Sequence, residues 1–294
     1  MIQETLIYGT TTLRKAEAND AKGIAKAWYS AFSGVTDRHG FPRDFESEDE
    51  VHELTDHILE LPNGQTTVLV RDGEIIGGAS LWTSETVAGI GPVFVSPEYQ
   101  SGGYGGMLFN EVLRNAEAFN QESVRLTQAA FNLVSLSLYA KRGFQVKEPL
   151  VVMMNPPGAR AMPSGYSVRP ATPDNAAPMD ELFRRSHGHS RRADIDGAIE
   201  HGTARVTLKD GEMVGYATDL GFLGHAVATR NEGLYALIAS VEEFTMSGIF
   251  VPTRNAELFA WCLANGMQAR SPWNLMVRGW YQTPAGPFLP SALY

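Results

Sequence analysis

This sequence contains a single cysteine, no long apolar run and no excess of basic over acidic residues. With Cys262 as the only cysteine, no internal disulfide can form, and a cytoplasmic location is expected. No run of about 18 apolar residues is present, and the first residues lack the pattern of a secretion signal, so no membrane segment is expected. The 24 Lys and Arg against 33 Asp and Glu give a net charge of −9, which argues against nucleic acid as a partner.

Glycine is concentrated in residues 100–106, which read Gln-Ser-Gly-Gly-Tyr-Gly-Gly. The apolar strand Val93–Val95 precedes this loop, and a helical pattern of apolar residues follows it, with Leu108, Val112, Ala116 and Phe119 on one face. Glycines let a ligand approach the backbone, and a helix start offers unpaired N–H groups and a positive dipole end. The stretch therefore predicts a site for a phosphate or pyrophosphate group.

Two common phosphate loops do not fit this stretch. A P-loop requires Lys and then Ser or Thr after its last glycine, and here Met107 and Leu108 follow. A dinucleotide fingerprint requires a third glycine where Leu108 stands. The remaining pattern, Gln-x-x-Gly-x-Gly between a strand and a helix, resembles the acyl-CoA loop of the GCN5-related N-acetyltransferases. An ordinary glycine-rich turn is the alternative.

A second motif resembles the same family. Asn132 begins a predicted helix that carries Leu138 and Tyr139 and ends at Gly143-Phe144, with the spacing that the family shows. The resemblance covers about residues 10 to 154. It implies an α/β (α+β) fold with a mixed, mainly antiparallel central sheet flanked by helices.

The resemblance also implies a site and a co-substrate, acetyl-CoA. Its phosphates would lie on Gln100, Ser101, Gly102, Gly103, Tyr104, Gly105 and Gly106, and its pantetheine arm and thioester on Val93, Phe94 and Val95. Asn132 would bind pantetheine or the acetyl end, although an Asn before a helix is equally expected as an N-cap. Tyr139 would bind at the thioester and act as general acid, because a phenol stays protonated at neutral pH; a core tyrosine is the alternative.

The sequence also repeats itself. Residues 168–171 echo 13–16, residues 210–218 echo 72–80, and Asn255 to Met267 echo Asn132 to Phe144. We expect a catalytic domain over residues 1–154, a linker over 155–166 and a degenerate second copy over 167–294. The second copy has no Gln-x-x-Gly-x-Gly, for which residues 221–226 are the expected counterpart, and Cys262 replaces the tyrosine.

Local patterns predict several further elements. Asp72-Gly73 between apolar runs predicts a hairpin of Thr66–Val70 with Ile75–Trp82. Residues 33–53 are polar and acidic and are expected to be mobile, followed by a short helix over 52–60. The tail Pro287–Tyr294 is apolar to its last residue and is expected to dock on the body, where it could line the active cleft.

Other polar residues offer weaker candidates. The general base is not identified: Glu85, His39, Asp37 and Glu46 are candidates, and each is more typical of a solvated surface group. The basic cluster Arg184–Arg192 is typical of a solvated helix end and loop, although it could meet an anion. His187 and His189 lack a third ligand nearby in sequence, so no metal is expected.

The sequence thus predicts an acetyl-CoA-dependent N-acetyltransferase. A small amine is the expected acceptor, held between the domains where the acidic 37–50 loop would attract a cation. Two alternatives stay open: a non-catalytic acyl-CoA sensor, and an enzyme that acetylates amines of proteins.

Overall fold

The structure, a computed structural model, describes residues 6–8, 11–61, 63–158 and 161–293, which form two compact units. The first unit contains the described residues up to Leu126 together with Asn132–Arg142 and Leu293. The second unit contains Thr127–Phe131 and Gly143–Ala292. The chain therefore passes from one unit to the other more than once.

Among its described residues, the first unit contains the elements β1 (Leu6–Tyr8), β2 (Thr11–Lys15), α1 (Ala21–His39), α2 (Glu48–Glu60), β3 (Gly64–Arg71), β4 (Glu74–Thr83), β5 (Val87–Val95), α3 (Tyr104–Ala118), β6 (Ser123–Ala129) and α4 (Leu133–Ala140), and the last three residues of β6 belong to the second unit. The strands are ordered β1 to β6 in one sheet. All neighbours are antiparallel except β5 and β6, which are parallel. Both α1 and α3 pack against β4 and β5.

The second unit continues with β7 (Gln145–Met154), β8 (Tyr166–Pro170), α5 (Ala176–His187), α6 (Arg192–Glu200), β9 (Arg205–Lys209), β10 (Glu212–Ala217), β11 (Ala226–Ala228), α7 (Asn231–Ile238), β12 (Ile249–Pro252), α8 (Ala256–Ala264), β13 (Gln268–Gly279) and β14 (Phe288–Leu289). One antiparallel sheet has the strand order β14-β11-β10-β9-β8. In the other, β7 lies between β12 and β13 and is antiparallel to both. The mixed, mainly antiparallel sheets flanked by helices confirm the predicted fold class.

The duplication is visible in the order of elements. The series from β2 to β7 recurs, element for element, from β8 to β13. The first strand of each series ends in the same capped turn, where Arg14 pairs with Asp20 at 2.6 Å and Arg169 bonds Asn175 at 3.0 Å.

The matching turns share their backbone angles as well. The hairpin turn has φ of 51° at Asp72 and 85° at Gly73. In the second copy, φ is 52° at Asp210 and 86° at Gly211. Positive φ at both central residues is what a two-residue hairpin turn requires, so the same dipeptide fixes both hairpins.

The acidic stretch 33–53 is mainly helical, which corrects the expectation of a mobile segment. α1 continues to His39, and α2 begins at Glu48 rather than near residue 52. Ser47 caps α2, its hydroxyl accepting from the Glu50 N–H at 3.2 Å. Acidic residues in the first turn of a helix interact favourably with its dipole. A smaller correction concerns Phe119, which lies beyond the last residue of α3 and is exposed.

The tail docks on the second unit as predicted, since β14 pairs with β11 and the Ala292 N–H donates to the Phe222 carbonyl at 2.8 Å. Whether the tail lines an active cleft stays a prediction, and Tyr294 lies outside the described residues. The proposed boundaries at 154 and 166 also stay a prediction. β7, at the end of the first copy in sequence, is nevertheless part of the second compact unit.

Candidate functional site

The candidate site begins at a bulge in β5. Ala79 on β4 faces Val93, but Leu81 faces Ile90, so two β5 residues, Gly91 and Pro92, stand opposite one residue of β4. The indole N–H of Trp82 donates to the Gly91 carbonyl at 2.7 Å. A bulge interrupts the ladder and redirects the strand that carries it. The segment Val93–Val95 therefore follows a fixed change of direction.

Beyond the bulge, one edge of β5 is open. β5 pairs with the parallel strand β6 only at Val87–Gly89, and among the described residues no strand pairs with that edge further on. On the other edge, the Ser96 N–H donates to the Ile76 carbonyl of β4 at 2.8 Å. Because backbone groups alternate along a strand, those of Val93 and Val95 point to the open edge. The N–H groups of both residues can donate to an extended ligand and the Val93 carbonyl can accept from it, while the Val95 carbonyl accepts from the Gln100 side chain.

The glycine loop is tied to the end of this edge. The Gln100 side-chain amide donates to the Val95 carbonyl at 2.9 Å, which gives the conspicuous Gln of the motif a structural role. Ser101 (φ 69°) and Gly103 (φ 82°) both adopt left-handed backbone conformations. The loop thereby turns sharply from the strand into α3.

The start of α3 is an uncapped helix N-terminus. Gly103 occupies the N-cap and supplies no side chain, and the first turn contains no acidic residue. The Met107 N–H donates to the Gly103 carbonyl at 3.1 Å, so the N–H groups of Tyr104, Gly105 and Gly106 precede the intrahelical bonds. Three donors and the positive end of the helix dipole are thus presented together, as an anion site requires.

The glycines of the loop differ in what surrounds them. A Cβ on Gly103 would have no atom within 4 Å, so this position faces open space, whereas a Cβ on Gly106 would lie 2.9 Å from Arg142 Nη2. A Cβ on Gly105 would lie 3.8 Å from Leu138 and 4.0 Å from Val95. The first turn of α3, the end of β5 and the helix α4 therefore meet at Gly105.

Two arginines that the sequence analysis did not single out flank the loop. Arg71 Nη1 donates to the Tyr104 hydroxyl at 2.7 Å, and Arg142 Nη2 donates to the Gly106 carbonyl at 3.2 Å. Arg142 also bonds Asn110 on α3 through Nε, at 2.7 Å. Both guanidinium groups add positive charge beside the uncapped helix. Arg142 was within reach of sequence reasoning, because it directly precedes Gly143 of the second motif.

Tyr139 is a buried residue of α4 with 7% of its surface exposed. Its ring packs on Phe109 of α3 at a centroid distance of 4.7 Å. Burial raises the pKa of the Tyr139 phenol above its ordinary value, because the phenolate would lose its hydration. The hydroxyl is therefore protonated at neutral pH, as a general acid must be. The packing also agrees with the alternative of a core tyrosine, so the catalytic role stays a prediction.

Asn132 is the N-cap of α4. Its side-chain oxygen accepts from the Ser135 N–H at 3.2 Å, and Asn255 caps α8 in the same way at 3.1 Å from the Leu258 N–H. The capping role is therefore present in both copies, whereas a role in ligand binding stays a prediction.

The four candidates for a general base gain no support from their surroundings. Asp37 forms a two-bond ion pair with Arg43, and the His39 ring bonds the Val35 carbonyl of its own helix. Glu85 is exposed and precedes β5, at the end of that strand opposite to the glycine loop. Glu46 lies in the turn before α2, where its backbone N–H donates to the Glu50 side chain. The pairing of Asp37 also weakens the idea that this loop attracts a cation.

The second copy lacks the same constellation. Residues 221–226 lead into β11 rather than out of it, so the counterpart of the glycine loop is the pair Thr229-Arg230, which corrects the sequence alignment. Glu232 stands in the first turn of α7. Cys262 is fully buried, and burial raises the pKa of its thiol to about 12. Neither a glycine loop nor a phenol is present there.

The remaining sequence candidates lie in the second unit. The rings of His187 and His189 are buried against Phe183. Within the described ranges, no three His, Cys, Asp or Glu side chains are grouped so that they could hold a metal ion. In the basic cluster, Arg184 pairs with Asp180 and Arg192 with Asp196. Between them, His187, His189 and Arg191 are buried, so the expectation of a solvated helix end and loop is wrong for the middle of the cluster.

No helix among the described residues combines the length and apolar character needed to cross a membrane. Comparison with curated protein sequences gives no match. Residues 28–144 match the model of the acetyltransferase (GNAT) family, and this range contains the bulge, the glycine loop, Asn132 and Tyr139.

Solved structures agree in fold. A candidate acetyltransferase from Pyrococcus horikoshii aligns with a TM-score of 0.71 and 17% identity over 98% of this chain and 97% of its own. A GCN5-related N-acetyltransferase from Sphaerobacter thermophilus aligns with a TM-score of 0.66 and 16% identity over 93% of this chain and 97% of its own. A tandem GNAT protein from the clavulanic acid biosynthesis pathway aligns with a TM-score of 0.59 and 16% identity over 94% of this chain and 99% of its own. At these identities the likeness concerns the fold alone.

Proposed function

We propose that this chain, an acyltransferase whose residues 28–144 match the model of the acetyltransferase (GNAT) family, uses acetyl-CoA to acetylate a primary amine of a small molecule. The first copy is the catalytic one in this proposal. The observation that carries it is the open edge of β5, which leads directly into the uncapped N-terminus of α3.

The residues present fit acetyl-CoA. An extended, amide-containing arm can add to a strand edge as a further strand would, and the backbone groups of Val93 and Val95 are aligned for it. A pyrophosphate needs several N–H donors and no nearby carboxylate, which the first turn of α3 provides. Arg71 and Arg142 add charge for a further phosphate group.

The reaction requires a proton donor and a polarised carbonyl. Acetyl-CoA supplies the thioester; the amine nitrogen forms a bond to the carbonyl carbon, and the carbon–sulfur bond breaks. A backbone N–H of the open edge would stabilise the negative charge that develops on the carbonyl oxygen. Tyr139 would give its proton to the departing sulfur, and the proton lost by the amine would return to the phenol through solvent. No side chain is assigned as base.

Tyr139→Phe tests the enzyme reading. Loss of a general acid lowers kcat by about 10²–10⁴-fold, while calorimetry should show unchanged affinity for acetyl-CoA and one site per chain. Tyr235→Phe is the matched control, because Tyr235 is a buried tyrosine of the second unit. Full turnover in Tyr139→Phe would remove Tyr139 from the mechanism. Acetyl-CoA binding without turnover on any amine would favour the sensor.

The acceptor class is tested separately. The net charge of −9 favours a cationic acceptor, because it raises the local concentration of cations at the surface. Comparison of kcat/KM for a panel of small primary amines with that for lysine-containing and N-terminal peptides decides between the two classes. A clear preference for peptides would overturn the small-molecule proposal and leave acyl transfer intact.

A further inference from the structure

The two copies differ in what covers one strand edge. In the first unit, β5 pairs with β4 on one edge and is open on the other beyond Gly89. In the second unit, the matching strand β11 pairs with β10 on one edge and with β14 on the other. Leu289 faces Ala226 and Phe288 faces Val227, in antiparallel register. The tail therefore covers, in the second unit, the edge that is open in the first.

The tail segment is anchored along its length. We define the plug as residues 284–292. The Ala285 N–H donates to the Ser186 carbonyl at 3.0 Å, and the Pro287 carbonyl accepts from the Ala228 N–H at 3.1 Å. Ser291 Oγ donates to the Leu223 carbonyl at 2.7 Å. These bonds hold both ends of the plug, and not only the two strand residues.

The plug also fills the core on both faces of its sheet. Phe288 packs in a cluster with Tyr216 and Val227, and Leu289 packs in a different cluster with Ala226 and Val251. β14 contacts β12 as well as β11. Alternate side chains of a strand point to opposite faces, so this short strand completes two apolar clusters at once.

What remains beside the plug is a polar cavity of about 600 Å³. Its walls include Glu232 in the first turn of α7 and Asn255, which matches Asn132 of the first copy. Glu148 and Glu257 line it too, together with Arg230, Arg254, Pro284 and residues 286–288 of the plug. Arg254 pairs with Glu148 at 3.4 Å, so the cavity wall carries charges of both signs. The strand edge that corresponds to the acyl-donor site is thus closed by the plug.

From these observations, we propose that the plug is a built-in peptide ligand of the second unit: it occupies the strand edge that the acyl donor takes in the first unit, so the chain has one acyl-donor site. The comparison with the donor rests on the proposed function. The occupancy of the β11 edge by the plug does not depend on the proposed function.

The test uses the full chain with a specific protease site inserted between Thr283 and Pro284. After folding and cleavage, the plug should stay bound through size-exclusion chromatography. A fluorescent synthetic peptide of residues 284–294, the fragment that cleavage separates and that contains the plug, should then exchange into the cleaved protein with a stoichiometry of one. The matched control is the same peptide with Phe288→Asp, which would place a charge in an apolar cluster and should not exchange.

Several results would overturn the proposal. Loss of the plug on cleavage with no fall in thermal stability would show that it is not a ligand of the unit. Equal exchange of the Phe288→Asp peptide would show that the apolar seat does not recognise it. Release of the plug by saturating acetyl-CoA would identify a second donor site that the tail gates. Failure of the proposed function would show instead as the absence of acetyl-CoA binding to the uncleaved chain.

Discussion

Alanine at Gly103 and alanine at Gly105 should change stability in opposite directions, although the two positions are only two residues apart. Gly103 has a φ of 82°, and the left-handed conformation costs an L-residue about 1–2 kcal/mol. Reduced freedom of the unfolded chain offsets about 0.4–1 kcal/mol of this. The Gly103→Ala variant should therefore be less stable by about 1 kcal/mol.

Gly105 lies within the first turn of α3, and the space for a Cβ is already present. The added atom would lie 3.8 Å from Leu138, which is an ordinary contact. Alanine is favoured over glycine in helices by up to about 1 kcal/mol. The Gly105→Ala variant should therefore be more stable than the parent by up to about 1 kcal/mol. The two variants would differ by about 2 kcal/mol, or roughly 4–8 °C in Tm.

Differential scanning calorimetry is the assay, because it can separate the unfolding transitions of two units. Only the transition of the first unit should move. Equal destabilisation by both substitutions would refute the reasoning from backbone angle and space. So would a Gly103→Ala variant as stable as the parent, since the strain at that position would then be absent.

Three further outcomes are expected. Arg142→Gln should weaken acetyl-CoA binding about five- to tenfold and reduce the salt dependence of that binding, as measured by calorimetry at two salt concentrations. Arg192→Gln, at a surface ion pair of the second unit, should change neither the affinity nor its salt dependence. Trp82→Phe removes the hydrogen bond from the indole N–H to the Gly91 carbonyl at the bulge, and it should lower the stability by about 1 kcal/mol and also lower kcat. An unchanged free energy of unfolding and unchanged turnover would show that this bond does not hold the bulge. Burial and the neighbouring cations lower the pKa of His225 in the folded protein, so the stability that neutral His225 gives above about pH 6.5 should be lost as the pH falls below that value. His225→Gln should make the free energy of unfolding depend less on pH between 7.5 and 5.5. Equal slopes of this free energy against pH in the variant and the parent would contradict the assignment.

Local chemistry made the backbone turns and helix cap of the candidate site predictable. Asp72-Gly73 specifies its hairpin turn by two positive φ angles, and the glycine loop turns through Ser101 and Gly103 for the same reason. Asn132 caps α4 by a bond to a residue three positions away. Features of this kind depend on near neighbours in the chain, so a sequence contains them in full.

Contacts between distant residues were not predictable in the same way. Arg71 reaches Tyr104 across 33 positions, and neither residue type signals the pair. The mistaken mobile segment is a different case, because its signal was present: Ser47 followed three residues later by Glu50 is the sequence signature of a helix start. In the structure Ser47 caps α2, and the Glu50 side chain accepts from the Glu46 N–H. The acidic composition of the stretch concealed the cap.

The place of β7 in the second unit has a consequence for how the protein is made. β7 pairs with β12 and β13, and Gln268–Gly279 follow it more than a hundred residues later in the chain. At a synthesis rate of about 5–20 residues per second, the apolar segment Leu150–Met153 waits roughly 5–25 s on the ribosome before its partner strands exist. During that time it is an unpaired strand edge. The first copy is therefore translated well before its last strand can be placed, and a chain interrupted in its second half would leave that strand exposed to aggregation.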